Sequence, residues 1–338
     1  MLKKSSYIFS IFTIALVLTS FTPVPKQDVI KTIIVDAGHG IMPNGGHNGA
    51  KGTFSYEDEI CLAISKKLVT QLRKEFPEIK IIETRPSENI VSLRERANIA
   101  NRNRGDLFIS IHVNAMPPLQ RRELVGYKNQ VSYVGRGKKK KKVVKKIPQY
   151  HTYEVPNTSV KGTQTYIWGA HKSEDKEVAL RENAPMLVEE NYKQQYGEID
   201  PNSPEFIALS LAKTKQFTVR SATLAGMVED QFAKIGRISG GKRQRQAGIW
   251  VLQATAMPSI LVETGFITNP EEERYLNSES GQNEIATGIT KAVHQYILWL
   301  EKRQISSGVT KTPAHKVPDD FFPFLQALDA HTSLHIGK

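Results

Sequence analysis

Cysteine is nearly absent: Cys61 is the single one in 338 residues. One thiol excludes an internal disulfide framework and any cysteine-rich zinc site. A local metal motif of the His-Glu-x-x-His kind is also missing, and no internal repeat is visible. Negative charge is in short supply, with 34 Asp and Glu against 46 Lys and Arg and a formal net charge of +12. That imbalance points to an acidic partner such as nucleic acid, an anionic membrane or an anionic wall polymer. Much of the excess lies in Lys138 to Lys142 with Lys145 and Lys146, a run that reads first as a solvated loop. The apolar run Tyr7 to Val17 falls short of the ~20 residues that a membrane span needs. With Lys3 and Lys4 before it and two prolines after it, residues 1–25 read as a secretion signal, an uncleaved anchor being the alternative. The mature part is then expected in the periplasm or outside the cell.

What is present is a core. Apolar residues make up 39% of the chain, and its length suits one large domain with insertions. The stretch Thr32 to Gly40 reads as a strand buried on both faces, Ile33-Ile34-Val35-Asp36, followed by a small-residue turn that presents His39. Leu107 to Ile111 is a second such strand and runs straight into His112. Ser259 to Val262 is a third and runs into Glu263. If the three are parallel neighbours, their end residues converge at the carboxyl edge of the sheet, where ligands bind in open α/β folds.

The remaining segments are read against that core. Ile41 to Ser55 is a loop over the proposed site. A helix follows from about Glu57, with Ile60, Cys61, Ile64, Leu68 and Leu72 on one stripe. Glu57 shares the inward stripe, either as a helix-end carboxylate or as a metal ligand, whereas Asp58 and Glu59 are expected in solvent. Ile79 to Thr84 is a strand, and Ser92-Leu93-Arg94-Glu95 starts a helix as a capping box. Residues 117–161 look like an inserted β-hairpin with a lysine tip. Glu174 to Tyr192 and Glu205 to Ile235 read as helical, Ala247 to Gln253 as a strand, and Ile285, Ile289, Val293, Tyr296 and Leu300 as the stripe of a last helix. From Gln304 the composition is that of a linker and tail, with an aromatic island at Phe321 to Leu325.

Two histidines and a carboxylate make the ligand set of an open catalytic zinc site, and a further carboxylate beside the water can move its proton. Taken alone, each of these residues has an ordinary structural reading. Several segments in order, however, resemble the zinc-dependent N-acetylmuramoyl-L-alanine amidases of the Amidase_3 type, in the form found in cell division. They are Val35 to Gly40, Tyr56 to Ala63, Glu83-Thr84-Arg85, Leu93 to Asn98, Leu107 to Ala115, and Pro258 to Asn269. The resemblance spans roughly residues 30–302. It implies an α/β fold with a mixed, mostly parallel six-stranded sheet flanked by helices. It also implies one Zn2+ on His39, Glu57 and His112, with Glu263 as the catalytic carboxylate. Asn114 and Arg85 fall in matching segments and are candidate substrate-binding side chains. The implied reaction is direct water attack on the amide joining N-acetylmuramic acid to the first L-alanine of the peptidoglycan stem, without a covalent intermediate.

Two departures from the family pattern stand out. The loop after His39 is long, and His47 occupies a place where the family often has Asp; in this glycine-rich loop it reads as a surface histidine rather than a spare ligand. Residues 170–240 match the place of a regulatory segment whose helix blocks the metal. Glu182, or else Glu189 or Glu190, is the candidate for that contact, with an activator protein to relieve it. The chain is expected to act as a monomer. The rival readings are another secreted zinc peptidase acting on wall peptides and a non-catalytic wall-polymer-binding protein. A nucleic-acid role is disfavoured, because the lysines lack interleaved aromatic stacking positions and the secretion signal places the chain away from nucleic acid.

Overall fold

A computed structural model describes residues 29–168, 204–245 and 249–306. Its first elements are β1 (Thr32–Ala37), the short β2 (Gly40–Ile41) and β3 (His47–Asn48), and helix α1 (Glu57–Glu75). There follow β4 (Lys80–Glu83), α2 (Leu93–Arg102), β5 (Leu107–Asn114), β6 (Leu119–Val134), β7 (Lys141–Val155) and β8 (Thr163–Trp168). The chain continues through α3 (Pro204–Lys234), β9 (Ser239–Arg245), α4 (Trp250–Ala254), β10 (Ser259–Phe266), α5 (Pro270–Asn277) and α6 (Glu279–Ser306). Two compact units divide at Tyr296 and Ile297. The first carries the sheet, and the described part of the second continues α6 to Ser306.

Six strands form the main sheet in the order β4-β1-β5-β10-β8-β9. Every pairing is parallel except β10 with β8. The three central strands β1, β5 and β10 are buried at every residue, which is why they read as continuous apolar runs rather than as alternating ones. On one face Ile34, Phe108, Leu261 and Tyr166 pack with Ala100, Ile249, Val251, Leu252 and Met257 into a core cluster. Helix α1 packs against β1 and β5 through its expected stripe, and Ile60, Cys61, Ile64, Leu68 and Leu72 are all buried. Ser92 caps α2 as expected, its side chain accepting a hydrogen bond from Glu95 N.

One expectation is corrected, and one strand was not foreseen. Ala247 to Gln253 does not form a strand: its described part enters helix α4, with Val251 and Leu252 facing the core cluster. A short apolar run looks the same in either conformation. The sixth strand is β9, Ser-Gly-Gly-Lys-Arg-Gln-Arg, an edge strand without apolar side chains. The helix expected over Glu205 to Ile235 is present as α3: Leu224, Val228 and Phe232 are buried, and the helix packs on β8, β9 and β10. Residues 1–25, Glu182, Glu189, Glu190, the segment 174–203 and the tail beyond Ser306 lie outside the described residues.

The expected hairpin is present as β6 paired antiparallel with β7 over Leu119 to Val155, interrupted by a bulge at Val125. Register places Tyr133 opposite Lys142 and Asn129 opposite Lys146. Aromatic and basic side chains are therefore interleaved in space, although they are separate in sequence. Among the described residues no helix is long and apolar enough to cross a membrane.

Candidate metal centre

The turn that follows β1 holds His39 at φ +61°, a left-handed conformation uncommon outside glycine. Two buried guanidiniums brace it through backbone carbonyls. Arg85 donates from Nε to Ala37 O at 3.0 Å and from Nη2 to Gly38 O at 2.8 Å. Arg96 donates from Nη2 to His39 O and from Nη1 to Asp36 Oδ1 at 2.7 Å. Burial by itself would raise the Asp36 pKa. The Arg96 charge and hydrogen bonds from Ser110 and Thr84 outweigh it and hold the carboxyl below its usual value.

The β2–β3 ribbon returns the chain so that Asn48 Oδ1 lies 2.8 Å from His39 Nδ1. An amide oxygen only accepts, so Nδ1 carries the proton and Nε2 presents its lone pair to the site. A metal-ligating histidine needs this kind of orienting partner.

Glu57 is the first residue of α1 and is 0% exposed. Its Oε2 accepts from Ala50 N at 2.8 Å and its Oε1 from Val113 N at 3.1 Å. These two N–H groups and the positive helix end favour the ionised carboxylate at this buried position. The loop leading into the helix is anchored in turn by Glu273 of α5. That carboxylate accepts from the backbone N–H groups of Thr53, Phe54 and Ser55 and from the Ser55 hydroxyl, at 2.9–3.0 Å.

Burial opposes the Glu273 charge, but the N–H donors prevail and hold its pKa below the usual value. Its contribution to stability is therefore complete above the unfolded-state pKa of ~4.3 and is lost as the pH falls through the lower folded-state value. Glu273→Gln should lower stability at pH 7 by about 2–3 kcal/mol. The gap to wild type should shrink on acidification below about pH 4, as urea melts across pH would record.

His112 arrives on β5. Its Nδ1 lies 3.4 Å from Glu57 Oε1, and His39 Nε2 lies 3.0 Å from the same oxygen. One ligand atom from each of His39, Glu57 and His112 falls within 4.8 Å of the others. The imidazoles meet edge to face, with centroids 4.8 Å apart. Small residues make this convergence possible. A Cβ on Gly38 would sit 2.6 Å from the His112 ring, and one on Gly49 would sit 2.8 Å from the His39 ring. Glu263 is fully buried on β10 and pairs in register with His112 of β5 and with Gln164 of β8. Register partners on adjacent strands share a face, so Glu263 stands one strand spacing, about 4.8 Å, from His112. Asn114 lies two residues beyond His112 on that face, with Nδ2 3.5 Å from Gln164 Oε1.

Two sequence-based placements differ. Arg85, expected at the substrate, is 1% exposed, and its donors are spent on the carbonyls of Ala37, Gly38, Asp58 and Ser87; it braces the His39 turn. Asp58, expected in solvent, is buried and accepts from His47 Nδ1 at 2.9 Å. His47 is thereby held away from the three donors and stacks on Tyr56 with centroids 3.8 Å apart. Asn48, Asp36, Arg96 and Glu273 were missed. Asp36 and Arg96 lie in segments that carry the family resemblance and Asn48 in the loop expected over the site, whereas Glu273 lies in neither.

A mostly parallel α/β sheet whose carboxyl edge gathers a buried His–Glu–His donor set defines a class, α/β folds with a candidate metal site at the sheet edge. Two imidazole nitrogens and a carboxylate oxygen suit zinc, which takes both ligand types and leaves a further position for water. The chain belongs to the N-acetylmuramoyl-L-alanine amidase family Amidase_3, whose profile matches residues 33–295. It is 25% identical over 279 residues to the amidase AmiA of Escherichia coli (strain K12), covering 82% of this chain and 80% of that one. To AmiC of Escherichia coli O6:H1 it is 27% identical over 266 residues, covering 78% of this chain and 52% of that one. The crystal structure of an N-acetylmuramoyl-L-alanine amidase from Clostridium difficile 630 superposes at a TM-score of 0.49 with 22% identity, covering 79% of this chain and 97% of that one.

Proposed function

We propose that this chain cleaves the amide between N-acetylmuramic acid and the L-alanine of the peptidoglycan stem, with zinc held by His39, Glu57 and His112 and the proton moved by Glu263. The observation that carries the reading is the approach of three buried donors, from three separate segments of a chain in this family, to within 4.8 Å. Zinc bound there would lower the pKa of a water towards ~7 and polarise the amide carbonyl. Glu263 takes the proton from the attacking water and delivers it to the alanine nitrogen as the C–N bond breaks. Asn48 fixes the His39 tautomer, and the N–H groups of Ala50 and Val113 fix the Glu57 carboxylate. Asn114 is assigned to orienting the substrate beside Glu263. Residues 30–302 form the catalytic domain with 117–161 as an insertion, and the substrate places it in the cell envelope. A chelator should abolish release of stem peptides from purified wall, and added zinc should restore it. The released peptides should carry a free L-alanine amine; cleavage inside the stem would make the chain a peptidase instead.

A further inference from the structure

We propose that the β6–β7 hairpin is a second binding site for the wall polymer, gripping an anionic glycan–peptide strand beside the site that cuts it; this rests on the peptidoglycan reading above. The hairpin is exposed along nearly its whole length on both faces. Leu124, Val125, Tyr127, Tyr133, Val134 and Val144 are each at least 45% exposed. A two-stranded ribbon that leaves so much apolar surface in water is marginal by itself, and such surface marks an interaction site.

Charge says what kind of partner fits. Residues 119–155 hold eleven Lys and Arg against two Glu, a net +9 of the chain's +12. Register and alternation gather Tyr127, Tyr133 and Tyr150 on one face with Lys142, Lys146 and Arg122, and the Arg122 guanidinium lies 3.8 Å over the Tyr150 ring. Flat rings suit the C–H faces of sugars, and the ammonium groups suit the carboxylates of stem peptides.

The layout favours a linear polymer over a bilayer. Sixteen residues of strand make a strip about 50 Å long, with its apolar side chains spread along the shaft. The tip, Gly135 to Lys142, has none. A membrane-inserting hairpin would concentrate them there. The ribbon springs from the segment just after Asn114, and its return leads into β8, where Gln164 pairs with Glu263. A strand held on it stays tethered to the catalytic edge of the sheet.

The test compares the wild-type chain with a variant carrying Lys→Gln at 138–142, 145 and 146, and with Tyr127→Ala/Tyr133→Ala. Binding is read by co-sedimentation with purified sacculi, and turnover on a soluble disaccharide-pentapeptide. Both variants should bind sacculi about tenfold more weakly, the lysine variant should lose most of the salt dependence, and soluble turnover should stay within about twofold. Sacculus binding within twofold of wild type in both variants overturns the proposal. So does wild-type binding to phosphatidylglycerol vesicles without lysine-dependent binding to sacculi, which would make the hairpin a membrane contact. If wild type binds sacculi through the hairpin yet does not cut the soluble substrate, the amidase reading fails and the grip stands.

Discussion

Glu263→Gln should keep one metal ion per chain and lose about 10³-fold in turnover, within the ~10²–10⁴ range that a positioned acid–base group supplies. The two halves of this expectation have separate grounds. Metal retention follows because the three donors come from the His39 turn, the start of α1 and β5, and the β10 residue is not among them. Turnover falls because an amide of the same size accepts hydrogen bonds but cannot take up a proton at neutral pH. His112→Ala should instead lose both metal and activity, so the pair separates holding the ion from moving the proton. Metal analysis of the purified variants, beside soluble-substrate kinetics, reads both quantities. A Glu263→Gln enzyme within tenfold of wild type would remove Glu263 from the proton path.

Much of this site is legible in the sequence because its donors are punctuation at the ends of buried strands. Ile33 to Asp36, Leu107 to Ile111 and Ser259 to Val262 are continuous apolar runs. A polar residue placed at once after such a run falls at the sheet's carboxyl edge. The stripe of α1 is equally plain, and it points Glu57 inward. The supporting groups are hidden because each acts across the fold. Asn48 meets His39 only once the β2–β3 ribbon closes, and Glu273 meets residues 53–55 from more than two hundred residues away. Asp58 looks like a solvated neighbour of Glu57 until His47 covers it. Strand β9 escapes a periodicity reading since an edge strand of Gly, Lys and Arg has no pattern to find. The hairpin shows the same limit, since its tyrosines and lysines become neighbours through register, which sequence spacing does not contain.

Arg96→Met should destabilise the fold by about 3–5 kcal/mol, because it strands a buried carboxylate. Asp36 would keep the hydroxyls of Ser110 and Thr84 but lose the guanidinium that balances its charge at bonding distance. With burial then unopposed by that guanidinium, the Asp36 pKa should rise. The wild-type group has a depressed pKa and loses its stabilising contribution as pH falls. The variant's group has a raised one and is relieved as pH falls, so the two stability curves should converge on acidification. Adding Asp36→Leu to Arg96→Met should recover much of the loss, as replacement of a whole buried ion pair often does. The double variant nevertheless leaves the carbonyls of Ala37 and His39 without the Arg96 donors, in a turn whose histidine sits at φ +61°. Backbone strain of ~1–3 kcal/mol is kept only where the surroundings enforce it. The double variant should therefore fold and bind metal about tenfold more weakly, a cost of the size seen when groups behind metal ligands are removed. Recovery of stability and metal affinity together would mean that the ion pair serves the core alone and that Arg85 suffices to hold the turn.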